Sequence, residues 1–291
     1  MLIRLGYDIQ FEIPAAVAIV TLLSVHPSRV HDLLEPDEMR IEPWLEVTTY
    51  IDGFGNRCAR FVAPRGSLRL SGSTLIADSG EPDAVNPSAR EPAVADLPHE
   101  MLCYLLSSRY CEVDRFASIA IELFGAIKPG WGRVQAICDW VHTKVAFNYQ
   151  QARPTKTALD VFTERVGVCR DFQHLAITFC RALNIPARYA TGYLGDIGVP
   201  SRLPMDFSAW FEVYLEGRWW TFDARNNQPR IGRVLMATGR DASDVAITTS
   251  FGQADLSHFF VVTEEVNEAA LGTPLLEPAA SNHFDASPPG A

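Results

Sequence analysis

Along residues 3–13 apolar side chains return at every second position: Ile3, Leu5, Tyr7, Ile9, Phe11 and Ile13. A period of two marks a strand with one face against a core. Further strand-like runs fall at 18–23, 45–51, 58–62 and 68–76, with Asp52-Gly53-Phe54-Gly55-Asn56 between two of them as a turn. Residues 1–80 are therefore expected to form a small β-rich domain, an antiparallel sandwich or sheet. The next stretch, 78–97, is rich in Pro, Asp, Ser and Ala and has no apolar period. We read 81–98 as a linker.

Beyond the linker the period changes. Helical spacing appears at 112–127 and again at 133–145. A further helix begins at Cys169, where Phe172, Leu175, Ala176, Phe179 and Leu183 form one apolar stripe and Asn184-Ile185-Pro186 supplies the stop. Strand patterns follow at 188–194, 209–215, 218–224 and 259–264. Helices followed by antiparallel strands predict an α+β core over 99–266. From 271 onward Pro, Ala, Ser and Gly dominate, so 267–291 is expected to be a disordered tail.

Composition narrows the function classes. A net charge of −10 argues against a nucleic-acid or anionic-membrane partner. No stretch approaches the roughly 18 uninterrupted apolar residues of a membrane span, and the first residues lack the basic and apolar regions of a signal peptide. Six cysteines in 291 residues, none at C-x-x-C spacing, fit neither a disulfide scaffold nor a zinc site. A cytoplasmic protein with reduced thiols is the expectation.

Candidate chemistry starts at Gly167-Val168-Cys169-Arg170-Asp171-Phe172. A thiol in the first turn of a helix meets the positive end of the macrodipole. Arg170 beside it is expected to lower the thiol pKa further, toward a nucleophilic thiolate. Downstream, Glu216-Gly217 separates two alternating runs as a hairpin turn. That register puts Ser208, Trp210, Thr221 and Asp223 on one face, with Ser208 and Asp223 as diagonal neighbours, Cα atoms ~7–8 Å apart. The spacing suits a base at 208 held by a carboxylate at 223. Position 208 is a serine.

Several segments together carry a resemblance: the Cys169 segment, Arg181-Ala182-Leu183-Asn184-Ile185-Pro186-Ala187-Arg188-Tyr189, Thr191-Gly192-Tyr193, Ala209-Trp210-Phe211-Glu212-Val213-Tyr214, Trp219-Trp220-Thr221-Phe222-Asp223-Ala224-Arg225 and Gly239-Arg240-Asp241-Ala242-Ser243-Asp244-Val245. The chain resembles the bacterial transglutaminase-like superfamily, with the β-rich domain that often precedes its papain-like core. The resemblance implies a Cys–His–Asp triad, with Cys169 as nucleophile and Asp223 as orienting carboxylate. The usual His of a His-Ala-Trp sequence falls on Ser208. A serine hydroxyl cannot take a thiol proton near neutral pH, and general base catalysis typically contributes about 10²–10⁴-fold.

The implied reaction is acyl transfer or amide hydrolysis, as in a peptidase or amidase, on a peptide or protein substrate through a Cys169 thioester. The alternative is a protein that keeps the groove, lacks the base and binds peptide-like ligands. A relay through Ser208, water and Asp223 is a third reading. Trp210, Trp219 and Tyr149 are candidates to line the substrate groove. Asn148, Tyr149 or Gln150 could add an oxyanion donor to the Cys169 amide. Asp171 is expected to cap its helix, and Glu212 to pair with Arg188 or Arg225. His174 stands about 140° round the helix from Cys169 and is assigned to packing, whereas His142 and His258 could reach the site only through tertiary folding. No cofactor or metal motif appears, so none is expected. Ser208→His is expected to create or greatly raise amide-hydrolysing activity.

Overall fold

The alternation at the N-terminus becomes a 12-residue strand, β1 (Leu2–Ile13), in which Ile3, Leu5, Ile9 and Ile13 are fully buried. It is followed by β2 (Val17–Thr21), β3 (Arg40–Glu42), β4 (Thr48–Ile51), β5 (Arg57–Ala63) and β6 (Gly66–Ala77). The computed structural model describes residues 1–200 and 205–266, so the predicted tail at 267–291 lies outside the described residues.

The second region begins with α1 (Ala117–Phe124) and α2 (Trp131–Lys144). After them come β7 (Ala146–Phe147), α3 (Ala158–Glu164), β8 (Val166–Gly167) and α4 (Cys169–Ala182). Four strands then form one antiparallel sheet: β9 (Ala187–Leu194), β10 (Ser208–Leu215), β11 (Arg218–Phe222) and β12 (Arg233–Gly239), in the order β11-β10-β9-β12. α4 packs on β9 and β10 and is surrounded by the other helices. Its buried positions continue round the helix, well beyond the single stripe that the sequence shows. The reason is its place between the sheet and three helices, where almost no face remains for water. No helix among the described residues is long and apolar enough to cross a membrane.

The chain does not divide where composition changes. β13 (Thr248–Ser250) pairs with β2, and β14 (Asp255–Val266) pairs with β1 along nearly its whole length. The expected core strand at 259–264 is thus a strand of the first region. Two sheets result there, β14-β1-β6-β3 and β13-β2-β5-β4. Strand β1 is buried between two neighbours, and period 2 alone cannot say which distant segment supplies the second. Tyr193, Phe207, Val234 and Met236 of the second region join the apolar core of the first.

Nor is 81–98 a loose linker. Asp83 accepts from Arg230 N at 2.9 Å and pairs with Arg233, and Glu91 accepts from Gly130 N at 2.8 Å and pairs with Arg133. Pro82 also forms a bridge with Ile231. Residues without periodicity are here a strap, held by ion pairs and by backbone hydrogen bonds, with Ala89 and Leu97 buried beneath it.

Candidate active site

Gly167 and Asp171 prepare the start of α4. The Asp171 carboxylate accepts from Val168 N at 3.0 Å and so caps the helix, as expected. A Cβ on Gly167 would stand 2.7 Å from Asp171 Cβ, so only glycine leaves room for this fold-back. Cys169 follows, half-buried, at the wall of a cavity of about 350 Å³. Ser208, at the start of β10, lines the same cavity, together with Tyr149, His142, Asp206 and Arg225.

The hairpin forms as the sequence predicts, with Leu215 opposite Arg218 and Phe211 opposite Phe222. Glu216 and Gly217 both have positive φ, 50° and 81°, as a two-residue turn of this hand requires. One step beyond the last pair lies Asp223, buried and saturated with donors. Its Oδ1 accepts from Gln173 Nε2 (3.1 Å), Arg225 N (3.0 Å) and Asn226 N (3.0 Å). Its Oδ2 accepts from Asn226 Nδ2 (2.8 Å) and Arg233 Nη2 (2.9 Å). Burial alone would raise its pKa, but Arg233 and Asn226 hold it below the usual carboxylate range.

Asp223 does not itself line the Cys169 cavity, whereas Asn226 and Arg225, both hydrogen-bonded to it, do. Gln173, one helical turn beyond Cys169, joins α4 to β10 and to the residues that follow β11. It donates to Asp223 and to Ala209 O (3.2 Å) and accepts from Ala224 N (3.2 Å). Sequence reading missed Gln173, Arg233 and Asp206. Gln173 had a detectable signal, since i+4 from Cys169 shares its helix face.

The expected effect on the thiol is reversed. Burial, followed by the negative charge of Asp206, pushes the Cys169 pKa up to about 11, against smaller opposing pulls from Arg225 and the Arg170 amide. The Arg170 guanidinium is engaged elsewhere, with Asp171 Oδ1 at 3.0 Å and Arg153 O at 2.7 Å. A residue adjacent in sequence leaves a helix about 100° away, so adjacency does not bring its charge to the sulfur.

Of the three groove candidates only Tyr149 lines the cavity. Trp210 is buried under the Arg233 guanidinium, 5.1 Å from its ring centre. Trp219 packs edge-on to Tyr104 and Tyr214 and beneath Arg188. It lies opposite Tyr214, six residues along β10 from Ser208, or about 20 Å at strand rise. A shared face is not a shared place. Among the oxyanion candidates, the Asn148 and Gln150 amides are already donated, to Gly167 O (3.0 Å) and Asn148 Oδ1 (2.9 Å), which leaves Tyr149.

The other expectations find their places. Glu212 pairs with Arg188 at 2.6 Å. His174 is buried, stacked on Tyr110 at 4.9 Å, and its Nε2 accepts from Ala242 N at 3.1 Å; burial lowers its pKa to about 3. The segment holding Asp241 therefore clamps the far side of α4, where Asp241 also accepts from Tyr110 N at 2.8 Å. His142 reaches the cavity after all, with Nδ1 2.8 Å from Arg225 O. His258 lies on β14, opposite Gln10. Among the described residues no group of three or more His, Cys, Asp or Glu is placed to hold a metal ion.

The family model for the transglutaminase-like superfamily matches residues 117–224, from α1 to just past Asp223. A solved structure, "Putative Cysteine Protease from Cytophaga hutchinsonii", is 30% identical to this chain. The match covers 92% of this chain and 91% of that one, with a TM-score of 0.78. The chain belongs to the transglutaminase-like superfamily. This transglutaminase-like protein is also 27% identical over 233 residues to an uncharacterised protein of Mycobacterium leprae, covering 74% of this chain and 80% of the relative. An uncharacterised protein of Mycobacterium bovis is 26% identical over 220 residues, covering 68% and 69%. The likeness to the Cytophaga hutchinsonii structure extends well beyond the family model, into the β-rich region.

Proposed function

We propose that this protein performs acyl transfer or amide hydrolysis on a peptide or protein substrate through a thioester on Cys169. The observation that carries the reading is the Cys169 thiol at the first position of α4, opening into a cavity of about 350 Å³ beside the hairpin that holds Ser208 and Asp223. The helix N-terminus and the Cys169 amide face the position where an oxyanion develops when sulfur attacks a carbonyl. Water entering the open cavity would resolve the thioester as in a peptidase or amidase, and an amine would resolve it as in a transglutaminase.

The missing imidazole favours a second reading, a groove that binds peptide-like ligands without turning them over. A thiol with its pKa near 11 is ionised only to about one part in 10⁴ at pH 7. Mass spectrometry after exposure to an activated acyl ester separates the two. The first reading expects an acyl adduct on Cys169 that decays with water or an added amine, and none on Cys169→Ala. A folded protein that binds peptide but never carries the adduct supports the second.

A further inference from the structure

We propose that Asp206 accepts the Cys169 thiol proton while Arg225 supplies positive charge beside the sulfur, so that two groups share the duties of the missing imidazole. This rests on the acyl-transfer reading and assigns its base. Both residues line the cavity with Cys169. Asp206 is the charged group with the largest effect on the thiol, ahead of Arg225 and Asp171.

Asp206 stands two residues before β10, on the approach to the position where an imidazole is expected. Its neighbour Phe207 anchors it by packing on Tyr193 (ring centres 5.2 Å), Phe259 (5.9 Å) and Tyr7 (6.5 Å). Arg225 is stacked over the Phe147 ring, 4.2 Å from its centre, and its backbone is fixed by Arg225 N donating to Asp223. Asp223 thus orients the cation through its backbone, where in a triad it would orient the imidazole directly.

The environment of Asp206 suits the task. The residue is exposed at the cavity mouth, yet protein crowds its carboxyl enough to raise its pKa to about 6; the Phe207 amide and Arg225 oppose the rise. Solvent reaching the residue limits the size of that rise, while its direction follows from the crowding. An ordinary Asp sits near ~3.9 and a histidine near ~6.5, so the shift carries the carboxylate close to imidazole basicity. The other ionisable or charged groups at the cavity are His142 on α2, Tyr149, Asp196 and Arg230. Asp171, on α4, adds a smaller negative influence on the thiol. His142 is the competing base: its Nδ1 donates to Arg225 O at 2.8 Å, which leaves Nε2 as the basic nitrogen, and the His142→Gln variant below separates the two.

The steps balance. Asp206 takes the thiol proton as sulfur attacks the amide carbon, forming the C–S bond. The protonated carboxyl then gives that proton to the departing nitrogen as the C–N bond breaks. Asp206 next takes a proton from water, whose oxygen attacks the thioester carbon. The C–S bond breaks, and Asp206 returns the proton to sulfur.

Alkylation by iodoacetamide, read as the modified fraction of the Cys169 peptide against pH, tests this without needing turnover. In the native protein the rate should rise through a limb centred near pH 6, far below the thiol's own ionisation. Asp206→Asn should erase that limb and slow alkylation at pH 7 by about 10²-fold, with an unfolding midpoint no lower than that of the native protein. Asp206→Glu should restore part of it. If the carboxylate merely opposes the thiolate, Asp206→Asn will alkylate faster at pH 7, which overturns the proposal. So does a limb lost in His142→Gln and kept in Asp206→Asn. A limb without any acyl adduct would uphold Asp206 as base and refute acyl transfer, while an adduct formed with no limb would do the reverse.

Discussion

Asp206, which lines the Cys169 cavity, and Asp223, which holds two of the residues that line it, have opposite characters. Asp223 is buried and accepts from five donors, one of them the Arg233 guanidinium, and its pKa is depressed. Asp206 is exposed, has no ion pair with a guanidinium among the described residues, and its pKa is raised to about 6. The contrast teaches that one chemical group can be a fixed structural charge or a titrating one according to its donors. The lone pairs of Asp223 are occupied by Arg233, Asn226, Gln173 and backbone amides, with none left for an imidazole placed at 208.

The most severe way to break this contrast is Arg233→Ala. It leaves buried Asp223 and half-buried Asp83 without their shared cation, so destabilisation of about 3–5 kcal/mol is expected in urea unfolding. Gln173→Ala comes next. It removes one donor to Asp223 and strands Ala224 N and Ala209 O, at a cost of about 2 kcal/mol by the same measurement.

Ser208→His sharpens the comparison from the other side. The new imidazole has to compete with Arg233 and Asn226 for Asp223, so amide hydrolysis should rise by less than about ten-fold, far below the usual worth of a general base. A larger gain would mean that Asn226 or Arg233 yields its place. The sequence-based expectation of a great rise assumed a free carboxylate at 223, where the structure shows five donors already in place.

The smallest effects are in pH dependence. Asp206, with its folded pKa above the unfolded ~3.9, contributes stability that is present below pH 4 and lost as pH rises through about 6. Asp206→Asn should therefore raise the thermal midpoint at pH 7 and leave it unchanged near pH 4, by less than about 1 kcal/mol because water reaches the residue. Asp223 has the opposite sign: its contribution is present above ~3.9 and lost as pH falls below that value. The stability gap between the native protein and Asp223→Asn should accordingly narrow in acid.

Much of this molecule is legible in one dimension. Alternation at 3–13 is the buried face of β1, and the stripe from Phe172 to Phe179 belongs to α4. The Glu216-Gly217 turn fixes the hairpin register that carries Asp223. These features depend on local geometry, in which side chains two, three or four residues apart share a face. What the sequence by itself determined was the helix that starts at Cys169, the hairpin that carries Ser208 and Asp223, and the α+β class. Only the tertiary structure decided that β14 returns to β1, that 81–98 is a charged strap and that Trp219 lies far from Ser208. Likewise it alone raised the thiol pKa and brought Asp206, Arg225 and His142 to one cavity. Pairing partners, desolvation and ion pairs depend on which distant segments meet, and no residue's neighbours in the chain record that.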